Sequence, residues 1–111
     1  MEKLIITVAG DSRTSYPHNH LCPPQEDIAA CAQQYVDAAR AGAAISHIHG
    51  RRTLEETFGA DGKMVSKIHH ADWRTLHHMI TDKVDTIMQY GVASARIEEK
   101  IELMKLGPDM M

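Results

Sequence analysis

The sequence predicts an α/β domain built of parallel βα repeats. Three observations carry that expectation. Short apolar runs rich in β-branched residues begin near positions 4, 44 and 85, about forty residues apart. Each is followed by a stretch whose apolar residues recur with helical period. Segments bearing glycine or proline separate the two kinds of stretch. With 111 residues, 43% of them hydrophobic and 24% charged, the chain has the composition of one ordinary globular domain spanning 1–111.

Lys3 to Ala9 (KLIITVA) reads as a first strand. Its unbroken apolar run is that of a strand buried on both faces of a parallel sheet. Gly10-Asp11-Ser12 ends it, and a polar loop with Pro17, Pro23 and Pro24 follows. From Gln25 onward, Ile28, Ala32, Tyr35, Val36 and Ala39 fall on one face of a first helix. The two prolines before it and Glu26-Asp27 in its first turn suit a helix start, and Gly42 suits a C-terminal cap. Ala43 to His49 forms a second strand, and residues 50–70 a long polar loop. Ala71 to about Lys83 is a second helix, with Trp73, Leu76 and Ile80 on one face and Asp72 as N-cap. Asp85 to Gln89 is a third strand. Residues 94–106 are a third helix with Ile97, Ile101 and Met104 on one face, stopped by Gly107-Pro108. Asp109-Met110-Met111 resembles the start of a fourth strand.

Such repeats build either an open doubly wound sheet or a closed eight-stranded barrel. A closed barrel takes roughly 250 residues. The chain would therefore hold the first three to four units of one, and the expectation is a fragment.

Fifteen acidic residues against twelve basic give a net charge of -3, which argues against non-specific nucleic-acid binding. No apolar run approaches the ~20 residues of a membrane helix. The first residues lack the basic-then-hydrophobic pattern of a leader. Cys22 and Cys31, without Cys-x-x-Cys spacing, are too few for a disulfide scaffold and read as ordinary thiols. A soluble cytoplasmic protein with no nucleic-acid or membrane partner is expected.

Eight histidines are many for this length. His47-Ile48-His49 ends the second strand, and alternation along a strand puts both histidines on one face. That is the C-terminal edge of a parallel sheet, where sites sit in both architectures. Two neutral imidazoles there suit a divalent metal, zinc above all; the alternative is one histidine in a polar layer beside another bonded to a loop. Asp11 ends the first strand on the same rim and could act as a base or hold a substrate amine. Arg51 and Arg52 could meet a carboxylate or phosphate, although Glu55, Glu56 and Asp61 argue equally for surface salt bridges. His18-Asn19-His20 with Cys22 could clamp a metal, cover the first strand as a lid, or be a solvated loop. His69-His70 and His77-His78 flank the second helix and read as solvated or partly packed. The glycines form no nucleotide-cradling motif.

Leu4-Ile5-Ile6-Thr7-Val8-Ala9, Ala41-Gly42-Ala43-Ala44-Ile45-Ser46-His47-Ile48-His49, Asp61-Gly62-Lys63 and Gly107-Pro108-Asp109-Met110 together resemble the N-terminal part of the β-keto acid cleavage enzymes, typified by 3-keto-5-aminohexanoate cleavage enzyme. The resemblance implies a zinc-dependent (β/α)8 barrel. It also implies a reaction in which a β-keto acid and acetyl-CoA give acetoacetate and a new acyl-CoA. His47 and His49 match the family's two histidine ligands for Zn2+. A glutamate ligand, a catalytic aspartate and an arginine would fall beyond Met111. Asp11 lies near the family's acidic residue after the first strand and is the expected catalytic residue. Arg51, Tyr90 and Gly91 are the expected substrate contacts. The family's Ser-Thr-Gly-Gly run after the third strand is replaced here by Gln89-Tyr90-Gly91-Val92-Ala93, and Gly50 separates His49 from Arg51. A homo-oligomer is expected, with little activity from the isolated chain. Two other readings stand beside it. One is a metal-dependent hydrolase of amidohydrolase type, which also uses His-x-His at a strand end. The other is a non-catalytic α/β module that binds metal.

Overall fold

The computed structural model describes residues 3–56 and 64–111. Its elements run in the order β1 (Thr7–Ala9), α1 (Ile28–Arg40), β2 (Ile45–Ile48), β3 (Arg52–Glu56), β4 (Met64–Ile68), α2 (His70–Thr81), β5 (Ile87–Tyr90) and α3 (Ile97–Met104). The three expected strands form one parallel sheet in the order β1-β2-β5. Its register aligns Ala9 with His47 and His47 with Gln89. Met110 extends the sheet through a parallel bridge to Gln89, so a fourth strand does begin where the sequence places it.

Alternation along the strands gives the sheet two unlike faces. Ser46 and Ile48 of β2, and Met88 and Tyr90 of β5, are buried. Ile48, Met88 and Tyr90 pack with Tyr35 of α1, Trp73, Leu76 and Ile80 of α2 and Leu103 of α3 in one core. The intervening residues, Ile45, His47, Ile87 and Gln89, are half-buried or exposed. All three helices thus cover the same face, whereas an open doubly wound sheet has helices on both.

The first helix starts at Ile28 rather than in the preceding turn. The Asp27 side chain caps it by accepting a hydrogen bond from the Ala30 amide at 3.1 Å. At its other end Gly42 takes φ 118°. The Gly42 and Ala43 amides then return to the carbonyls of Ala39 and Ala38, which closes the helix as expected. In α2 the cap position is His69; Asp72 lies in the first turn and receives Arg51 instead.

Two expectations are corrected, for β1 and for residues 50–70. β1 is not buried on both faces: it is an edge strand, and Leu4, Ile5 and Ile6 before it are exposed, Leu4 at 88%. The apolar stripe Ile97, Ile101 and Met104 of α3 is exposed, and the residue that reaches the core is Leu103, at 0%. A stripe marks an apolar face without naming what covers it. Residues 50–70 are not all loop, because β3 and β4 form an antiparallel ribbon pairing Arg52 with Ile68 and Glu56 with Met64. The ribbon is tied to the β5–α3 connection by the Ser66 amide on the Ser94 carbonyl at 3.0 Å and by a Ser66–Ser94 hydroxyl contact. Asp61-Gly62-Lys63, which carried part of the family resemblance, lies outside the described residues.

Candidate metal centre

His47 and His49 leave the C-terminal end of β2 on its open face, as strand alternation requires. Their ring centroids are 4.9 Å apart and the planes stand at 75°. Each ring is held at Nδ1. His49 Nδ1 lies 2.9 Å from the Gly10 carbonyl, an acceptor with no proton to give, so Nδ1 carries the hydrogen. His47 Nδ1 donates in the same way to Gln89 Oε1 at 2.8 Å, its neighbour across the sheet. In the neutral rings both Nε2 atoms therefore keep a free lone pair. Imidazoles that bind metal are usually held in this manner, with the second nitrogen donating to a carbonyl or carboxylate.

The two free nitrogens converge. A Cβ built on Gly91 would lie 2.6 Å from Nε2 of His47 and 2.6 Å from Nε2 of His49. Any side chain at position 91 would fill the gap between them. The gap opens into a crevice of about 630 Å³ lined by His47, His49, Gly91, Val92, Ile97 and Met104. Two convergent imidazole nitrogens around a space kept clear by glycine fit a divalent cation of the borderline class, such as zinc. Among the described residues no group of three or more His, Cys, Asp or Glu side chains is arranged to hold an ion, so the pair offers two donors and no third.

The other candidates fall into place around it. Asp11 stands behind His49, on the Nδ1 side, with Oδ2 3.9 Å from that nitrogen. Its Oδ1 accepts from the Ser12 amide at 2.8 Å and the Ser15 hydroxyl at 3.0 Å, which folds the loop after β1. Arg51 is turned away to α2, where Nη1 meets Asp72 Oδ2 at 3.0 Å. It lines a water-sized cavity of about 10 Å³ with His49 and Asp72, and its Nε is buried without a partner among the described residues. Arg52 binds the Ser15 hydroxyl at 2.8 Å.

Tyr90 borders the crevice, but its hydroxyl end is turned away from it. It is 2% exposed, stacks edge-on against Trp73 at 5.0 Å and bonds His77 Nδ1 at 2.7 Å. Gln89 and Gly91 face the histidines and Tyr90, between them, faces the helices. His77 is correspondingly buried rather than solvated, and burial, with the neighbouring His78, lowers its pKa. His69 and His70 are partnered by Thr53 and Glu99. His18 and His20 are exposed, and neither makes a hydrogen bond among the described residues.

From sequence alone, Gln89 has no role and Tyr35 belongs only to the core. A signal existed for Gln89: positions 87, 89 and 91 share a strand face. Its pairing with His47 depends on a register that the chain does not spell out. Nothing at Tyr35 beyond its place on an apolar helix face foretold that its hydroxyl reaches Gly10 at 2.9 Å.

No helix among the described residues is long and apolar enough to cross a membrane. No curated protein and no solved structure matches the chain. The model of one family does, over residues 3–111, and that family is the beta-keto acid cleavage enzyme. Covering nearly the whole sequence and containing the histidine pair at the strand end, this match shows that the chain belongs to the β-keto acid cleavage enzyme family.

Proposed function

We propose that the chain carries the cation-binding half-site of a zinc-dependent β-keto acid cleavage reaction, in which a β-keto acid and acetyl-CoA yield acetoacetate and a new acyl-CoA. One observation carries the reading: the Nε2 atoms of His47 and His49 converge on the space left by Gly91. The parallel β1-β2-β5 order with helices on one face only supports a (β/α)8 barrel as the parent architecture. A bound divalent ion would supply Lewis-acid polarisation of a keto oxygen.

The chain's own residues do the rest. His47 and His49 present two nitrogen donors, which leaves further positions open to water, substrate oxygens or another donor. Gln89 Oε1 and the Gly10 carbonyl hold the protons at Nδ1 and so keep Nε2 unprotonated. Asp11 Oδ2 lies 3.9 Å from His49 Nδ1, on the side of the ring away from the crevice, so its carboxylate would support the imidazole from behind rather than take a proton from substrate. Val92, Ile97 and Met104 give the crevice apolar walls suited to an acyl chain. The exposed apolar residues of the β1 edge and α3 support assembly with a second copy.

The test is titration of the metal-free protein with Zn2+ or Co2+, followed by addition of acetyl-CoA and assorted β-keto acids. We expect saturable binding that weakens at least tenfold in His47→Ala and in His49→Ala, and at most slow acetoacetate formation that depends on both acetyl-CoA and His47. Absence of cation binding to the unaltered protein overturns the reading. Because only two donors converge, a non-catalytic cation-binding module is the second reading, and binding without acetoacetate would favour it. Hydrolysis without CoA would favour the amidohydrolase type.

A further inference from the structure

The hydroxyl of Tyr35 has no place in the chemistry above, yet it touches His49 by two routes. Tyr35 lies on the inner face of α1 at 1% exposure. Its Oη donates to the Gly10 carbonyl at 2.9 Å and accepts from the backbone N–H of His49 at 3.2 Å. The same Gly10 carbonyl accepts from His49 Nδ1 at 2.9 Å. One hydroxyl thus anchors both the main chain that carries the imidazole and the acceptor that orients its ring. The approach is close because position 10 has no side chain: a Cβ there would stand 2.7 Å from Tyr35 Cζ. Burial raises the Tyr35 pKa well above the phenol range, so the hydroxyl keeps its proton and remains a donor.

We propose that Tyr35 is a positioning residue for His49, fixing the Gly10 carbonyl and the His49 amide so that the ring holds the Nδ1–H tautomer with Nε2 turned toward Gly91. Which nitrogen of a histidine carries the proton is set by the hydrogen bond at the other. In water the neutral ring favours the opposite tautomer, with the proton on Nε2, so the selection is a property of the fold. The proposal rests on the reading of His47 and His49 as a cation site, but its deciding measurement needs no cation.

Tyr35→Phe keeps the buried ring and deletes only the hydroxyl. In the metal-free protein the ring 15N resonances of His49, assigned by difference with His49→Gln, report the tautomer directly. We expect the Nδ1–H form in the unaltered chain and a shift toward Nε2–H, or a mixture, in Tyr35→Phe. A merely structural role would lower stability and leave the tautomer unmoved, and that result overturns the proposal. In a parallel titration the dissociation constant for Co2+ should rise about ten- to a hundredfold in Tyr35→Phe, as for other residues that hold a ligand from behind. If the unaltered chain binds no cation, the functional reading fails, while the tautomer measurement still decides on Tyr35. Should Tyr35→Phe not fold, replacing tyrosine with 3-fluorotyrosine strengthens the hydroxyl as a donor without removing it. The His49 ring resonances should then move, and unmoved resonances overturn the proposal.

Discussion

Gly91 is the residue on which the site turns. A methyl group at that position would stand 2.6 Å from both Nε2 atoms, closer than atoms in contact ever come, so either the rings or the strand end must yield. Gly91→Ala is therefore expected to weaken Zn2+ or Co2+ binding more than tenfold by calorimetric titration. It should also cost about 1–3 kcal/mol of stability by overpacking, read from urea unfolding. Loss of stability with affinity intact would show that the ion does not sit there. Other positions were harder to interpret from sequence. His47 and His49 were legible because strand alternation needs only sequence. Tyr90 was not: an aromatic beside a glycine at a strand end looks available to substrate, and only its packing against Trp73 and His77 shows that it faces the helices. Arg51 likewise followed the histidine pair in sequence yet turns to Asp72, a partner on a helix that sequence distance does not bring near.

Among the elements, those with a buried face were legible and those without one were not. Ala32, Tyr35 and Val36 are buried as the spacing in α1 predicts, as are Trp73, Leu76 and Ile80 in α2. The β3–β4 ribbon leaves no strand signal in the sequence, because a two-stranded ribbon mostly exposed to solvent imposes no alternation on Arg52–Glu56. The stripe on α3 was visible, but whether a stripe meets the core depends on what packs beside it. The start of α1 was displaced by a few residues because an acidic residue serves either as cap or in the first turn. The Asp27–Ala30 bond decides for the cap. Asp27→Ala should accordingly destabilise the protein by about 1 kcal/mol, seen as a lower urea midpoint at unchanged m-value. Asp27→Asn or Asp27→Ser should recover most of the loss.

For the whole molecule, the buried titratable groups define a stability window. His77 has a folded pKa below its ordinary 6.5 because burial disfavours its charged form. Between the two values the unfolded chain binds more protons, so stability falls as pH drops below about 6.5. At the other end, burial raises the Cys31 thiol from 9.0 to about 11 and the Tyr90 phenol from 10.0 to about 12. The unfolded chain then loses protons first, and stability falls as pH rises past about 9. Urea midpoints measured from pH 5 to pH 11 should trace a plateau between these limits, and His77→Gln should flatten its acid side.

The position of β2 has a consequence for persistence. It is flanked on both edges, by β1 and β5, while β1 has a neighbour on one side only among the described residues. Amide protons that let go last belong to the best-enclosed segments. In deuterated water the β2 amides whose carbonyl partners lie in the neighbouring strands should exchange most slowly, and those preceding β1 within the earliest time points. The two imidazoles would then ride on the part of the chain that opens last, remaining side by side through local fluctuations that loosen the edges. Their mutual geometry would be lost only when the sheet itself comes apart.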